Sequence, residues 1–296
     1  MELPTISDEE LRRRASGILL GMACGELAFG AMTLTTLALD LGESVVANGR
    51  VKADAILERW LRLPPGAGPR PGSITGQALR LFQDGFPAEG LADAVGRLVP
   101  GRSGDCPLVR ALPLAILARR DGALLKGWAD ASALITHGDL TSRVTTVGAC
   151  LLARDLLTRS LAESLARVDQ ALREEAPLRL ARTFRMPGRS EQPELGDDAV
   201  AILSQAIDAL ARARDLEGVL QELENQDRPN VGAQALGGAL AGAAFGIDPS
   251  SRRLDQIDDR LRRRIEGLAE ALVEFEARDH ATRSAANALA NLSGLG

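Results

Sequence analysis

The chain has 296 residues, 45% of them apolar and 25% charged, with a formal net charge of −5 and no tyrosine. That length can bury a large core in one or two domains, and the mildly acidic balance, with arginines set among Asp and Glu, speaks against a nucleic-acid-binding stripe. Cys24, Cys106 and Cys150 are widely spread in apolar company without disulfide or zinc spacing, and Met1 is followed by acidic residues rather than a signal peptide, so the expectation is a cytoplasmic protein with buried thiols.

In chain order, Ser7-Asp-Glu-Glu10 is a capping-box pattern that opens a helix running towards Leu27. Gly17, Gly21 and Gly25 share one face of it, as close helix packing demands. Next comes an apolar run from Phe29 to Leu39, where the hydroxyls of Thr33 and Thr35 read as N-cap oxygens or as ligand contacts. Residues 54–63 predict a helix stopped by Pro64-Pro65. The Pro/Gly-rich stretch 64–72 is a loop, and Ser73 caps the helix that follows. Within Gly101 to Leu114, Asp105 is a candidate acid, and Arg110 either holds a phosphate bidentately or anchors a helix through a carboxylate. His137, at a helix junction, either contacts a ligand or bonds backbone, and Asp139 caps a helix over 140–157. Residues 161–195 are amphipathic and then irregular at Met186-Pro-Gly. Two amphipathic helices follow over 196–223, burying Ile202, Ala206 and Leu210, then Leu216, Leu220 and Leu223. Asn230 to Gly246 is almost wholly Gly, Ala and Leu, with Gly238, Gly242 and Gly246 recurring every four residues. It is shorter than the roughly 20 residues a bilayer needs and lacks basic flanks, so it reads as a buried central helix. A last helix covers 261–275 before a small-residue tail, 279–296. Alternating strand patterns are missing, so the fold class is all-α.

Four of these stretches resemble, in order, the signatures of the ADP-ribosylglycohydrolase family (the dinitrogenase-reductase-activating glycohydrolase group). They are Arg14-Ala-Ser-Gly-Ile-Leu-Leu-Gly-Met-Ala-Cys-Gly-Glu26, Gly101 to Leu114 (with Gly104, Arg110, Pro113 and Leu114 matching), the Thr136-His137-Gly-Asp139 corner, and Gly238-Ala-Leu-Ala-Gly-Ala-Ala-Phe-Gly246. The resemblance covers about residues 11–275. It implies a single-domain orthogonal helical bundle over 1–296 around the Gly/Ala-rich helix, and, in active members, two magnesium or manganese ions that orient the distal ribose while water cleaves the bond to a modified side chain. The family's Thr-Asp-Asp-Thr tetrad falls here on Met32-Thr33-Leu34-Thr35, and its late aspartates on Pro229 and Val231. The opening aspartate's place is held by Glu26. Hard cations want carboxylate oxygens, so the expectation is that magnesium and manganese are absent and that the chain is an inactive relative. Such a chain binds ADP-ribose or an ADP-ribosylated protein, with no nucleic-acid or membrane partner. The candidate binding residues are Thr33, Thr35, Arg110, His137, Asn230 and Gln234. One alternative is metal-independent glycosidic cleavage by Glu26 and Asp105; another is a helical scaffold without a ligand.

Overall fold

The structure is a computed structural model that describes residues 6–30, 32–64, 67–70, 73–188 and 198–275. Among these residues the regular structure is helical throughout. The first half carries α1 (Asp8–Glu26), α2 (Thr33–Asn48), α3 (Ala53–Leu61), α4 (Ile74–Gln83), α5 (Leu91–Leu98), α6 (Cys106–Arg110) and α7 (Pro113–Leu117). The second half carries α8 (Gly122–Ala133), α9 (Leu140–Leu156), α10 (Leu161–Ala171), α11 (Leu178–Arg185), α12 (Ala199–Arg212), α13 (Leu216–Glu224) and α14 (Val231–Phe245). A further helix, α15, covers 259–275, and the predicted tail over 279–296 lies outside the described residues. No described helix is long and apolar enough to cross a membrane.

The architecture is set by α1 against α14. They run antiparallel with their backbones nearly touching. A Cβ built on Gly21 would stand 2.1 Å from the Gly238 carbonyl oxygen, one on Gly17 would stand 2.5 Å from that of Gly242, and one on Gly25 would stand 2.2 Å from that of Gln234. The spacing of four in both segments therefore has a packing cause, because any side chain at these places would hold the helices apart. The pair is buried among α9, α12 and α13, with residues such as Leu19, Leu236, Leu240, Ile207 and Leu220 inaccessible to solvent.

Helix ends follow side-chain chemistry. Ser73, Asp139 and Asn230 each accept a backbone N–H of the helix they precede, from Gly76, Ser142 and Ala233. Ser160 and Glu163 complete a reciprocal capping box on α10. At α1 the box anticipated from the sequence is only half made. Ser7 accepts the Glu10 N–H, but the Glu10 carboxylate turns to Arg13 and Arg14, because two guanidiniums attract it more strongly than one amide does. At the far side, α15 docks on α2 through Arg264, which bonds Asp40 at 2.6 Å and Glu43 at 2.7 Å.

Candidate functional site

The N-termini of α2 and α14 and the start of α6 meet at the end of the α1–α14 pair. Glu26 closes α1 and is 1% exposed. Its two carboxylate oxygens accept the N–H groups of Leu34 at 2.9 Å and Thr35 at 2.7 Å. The N-cap position of α2 is Met32, which offers no side-chain oxygen. Glu26 therefore supplies the negative cap that the adjacent sequence does not. This corrects the reading of Thr33 and Thr35 as N-caps: Thr33 is the half-buried first residue of α2 and Thr35 a fully buried one a turn in. Burial raises the Glu26 pKa. The bonds from Thr35 and Leu34 oppose that rise, and the charge of Asp105 adds to it. The Thr35 hydroxyl lies close enough to help hold the carboxylate's pKa down, yet makes no hydrogen bond of normal geometry.

Asp105 stands over the first turn of α14. A Cβ on Gly232 would lie 2.2 Å from its Oδ2, so glycine at 232 is what lets the carboxylate approach the helix N-terminus. Asn230 was expected to touch ligand, but its Oδ1 is committed to capping α14 by the Ala233 N–H at 3.1 Å. Gln234, 1% exposed in the same first turn, has neither its amide nitrogen nor its amide oxygen hydrogen-bonded.

Arg110 is fully buried. Its guanidinium lies 4.8 Å above the Trp60 ring centroid and donates to the Ser132 carbonyl at 2.8 Å, with longer contacts to Thr75 Oγ1 and Cys106 Sγ. Among the described residues no carboxylate pairs with it, so the carboxylate anchor expected from the sequence is not made. It ties α3, α4, α6 and α8 together through carbonyls and a ring face instead. Burial lowers its pKa, and burial likewise raises that of Cys106.

His137 is 2% exposed. Its Nδ1 pairs with Thr136 Oγ1 at 2.7 Å, and its Nε2 packs so closely on Gly104 that a Cβ there would come within 2.4 Å. The anticipated backbone bond is thus a side-chain bond. The ring braces the loop that carries Asp105, and it borders a pocket of about 360 Å³ shared with Asp93, Arg97 and Asp139. Burial, then the Arg110 charge, pushes its pKa well below the ordinary histidine value.

Of the sequence candidates, the structure gathers Glu26, Thr33, Thr35, Asp105, Asn230 and Gln234 at one junction and sets Arg110 and His137 behind it. Sequence reasoning did not foresee Trp60 as the surface beneath Arg110, or Gly232 as the seat of Asp105; neither carries a local pattern that signals its role. At the start of α2 the helix's own side-chain oxygens are the hydroxyls of Thr33, Thr35 and Thr36, the last already donating to the Met32 carbonyl, and at the start of α14 Val231 and Gly232 offer none. Among the described residues no group of three or more His, Cys, Asp or Glu side chains converges as a metal-holding cluster. A separate groove of about 940 Å³ opens at the opposite end of α14. Two of the arginines on it are already neutralised, Arg13 by Glu10 and Arg253 by Glu217 and Glu224.

The all-α bundle is a fold shared with solved structures. The chain is similar to an ADP-ribosylglycohydrolase-related protein complex, at a TM-score of 0.73 and 25% identity over 90% of this chain and 99% of that one. The ADP-ribosylglycohydrolase family profile matches residues 10–282, and the chain belongs to that family. No curated protein matches it significantly.

Proposed function

We propose that this chain binds ADP-ribose, or a protein carrying it, without a two-metal hydrolytic centre. The observation that carries this reading is the state of Glu26: both of its oxygens are bound to the α2 amides, which leaves the carboxylate poorly placed to hold a cation. Leu34 and Val231 put hydrocarbon where hard-cation ligands would be needed, and a divalent ion beside unliganding aliphatic groups loses more hydration than it regains. The donor set present does not fit a pair of magnesium or manganese ions. The three free, buried cysteines accord with a reducing compartment.

The test is calorimetric titration of ADP-ribose into the full chain, with and without magnesium or manganese. Equal affinity in both conditions is the expected result. Binding that requires the metal sinks the reading, and no heat in either condition moves the protein to a scaffold role.

A second reading has one observation in its favour. Glu26 and Asp105 lie close enough for the Asp105 charge to raise the Glu26 pKa, as in acid–base carboxylate pairs. Release of ADP-ribose from a modified peptide in chelator, abolished in Asp105→Asn, would establish that reading over the first.

A further inference from the structure

Among the described residues, Gln234 is the one buried carboxamide at the junction of α2, α6 and α14 whose nitrogen and oxygen are both unpaired. An amide side chain offers two donor hydrogens and two acceptor lone pairs, and leaving them all unmade inside a protein lowers its stability. Nothing in the packing calls for an amide there. At 1% exposure, an aliphatic side chain at this place would leave no unmet bond. A polar residue retained against stability marks a place where something else completes it.

Its position says where. The main-chain carbonyl of Gln234 abuts Gly25, the residue before Glu26, so residue 234 stands beside the end of α1, and Asp105 presses on Gly232 one half-turn back along α14. Glu26 is spent on the α2 amides. Of the unpaired groups at this junction, the Thr35 hydroxyl and the Gln234 carboxamide, only the carboxamide sets a donor and an acceptor side by side in one plane.

We infer that Gln234 is the ligand-reading residue of this site and takes a planar edge that carries a hydrogen-bond donor beside an acceptor, as in a primary carboxamide or the edge of an adenine. The pairing is bidentate, as glutamine makes with adenine elsewhere. The inference rests on the site being a ligand site, as proposed above. It adds the chemistry that the ligand must present, and an acceptor-only group such as a carboxylate does not match it.

The experiment uses the full chain and Gln234→Leu, with Gln234→Ala as a second variant in case Leu overpacks. Nicotinamide supplies the carboxamide, adenosine the adenine edge, and nicotinic acid is the acceptor-only control; each is titrated by calorimetry. The expected result has two parts. Gln234→Leu melts about 2 °C higher than wild type, because the unmet bonds are gone. It also binds nicotinamide or adenosine, whichever the wild type prefers, on the order of tenfold more weakly or worse. Nicotinic acid binds wild type more weakly than nicotinamide.

Three outcomes overturn the inference: a lower melting temperature in both variants, which means a buried water satisfies the amide; affinity unchanged by the substitution, or no binding of either probe; or stabilisation by magnesium or manganese alone that Gln234→Leu abolishes, which makes the amide oxygen a metal ligand. ADP-ribose binding that survives in Gln234→Leu would sink this inference and leave the proposed function standing. Nicotinamide binding lost in the variant, with no ADP-ribose binding at all, would do the reverse.

Discussion

At the scale of single residues, the junction is held by side chains whose partners are far away in sequence. Glu26 bonds amides eight and nine residues on, so removing it strands two N–H groups at a buried helix start. Glu26→Ala is expected to cost about 3 kcal/mol, whereas Thr33→Ala, which removes no cap, stays within about 0.5 kcal/mol. Urea unfolding of the two variants separates them, and equal losses would restore the threonine as the cap. His137 gives a pH signature. Its pKa is depressed in the folded chain, chiefly by burial, so the unfolded chain binds the proton that the folded one refuses. Its stabilising contribution is therefore whole above about pH 6.5 and is lost as pH falls below that value towards the folded pKa. The melting temperature of wild type should drop between pH 7 and 5.5, and His137→Gln should flatten that slope. A slope unchanged in the variant would mean that the imidazole is not closed off from protons.

At the scale of elements, glycines that look alike in the sequence have opposite roles. Gly21 lets α1 touch α14, and a methyl group there would meet the Gly238 carbonyl oxygen at 2.1 Å with backbone on both sides. Neither helix can yield locally, so Gly21→Ala is expected to cost about 3 kcal/mol or more, if it folds at all. Gly127 lies inside α8 with nothing within 4 Å of a built Cβ. There the substitution only relieves backbone entropy, and Gly127→Ala should stabilise by about 0.5–1 kcal/mol. Thermal melts of the pair read both signs at once. The four-residue recurrence of Gly17, Gly21 and Gly25 and of Gly238 and Gly242 was legible in the sequence and marked the close α1–α14 packing, whereas Gly246, read as part of the same run, ends the helix at positive φ against the Arg13 guanidinium. That the two runs pack on each other, antiparallel and in this register, was not legible.

At the scale of the whole molecule, α15 is fastened across more than two hundred residues of chain. Arg264 reaches Asp40 and Glu43 of α2, and Leu268 lies against Gly42. Exposed ion pairs contribute little, but the Asp40 side chain is only 8% exposed and its pKa is raised by burial against the pull of Arg264. Arg264→Ala leaves that charge without its nearest partner and should cost about 2 kcal/mol. Protease susceptibility beyond residue 258 rising together with the loss of stability would show that α15 detaches. A loss well under 0.5 kcal/mol would mean that Arg59, 3.9 Å from Asp40, takes over the pairing.

By itself the sequence determined the all-α class, the buried Gly/Ala helix, the caps at Ser73 and Asp139 and the two amphipathic helices it set over 196–223, because periodicity and capping act over a few residues and are written locally. It also named Glu26, Asp105 and Gln234 as site candidates. The tertiary structure decided what surrounds those residues. A carboxylate is a cap or a ligand according to which amides surround it, and the amides that hold Glu26 belong to the next helix. The structure likewise shows Asn230 as the cap of α14, through the Ala233 N–H. Arg110, expected to meet a phosphate or a carboxylate, was resolved by the fold into a buried cation on a tryptophan face, since the partners of a buried charge are chosen by how helices distant in sequence come together.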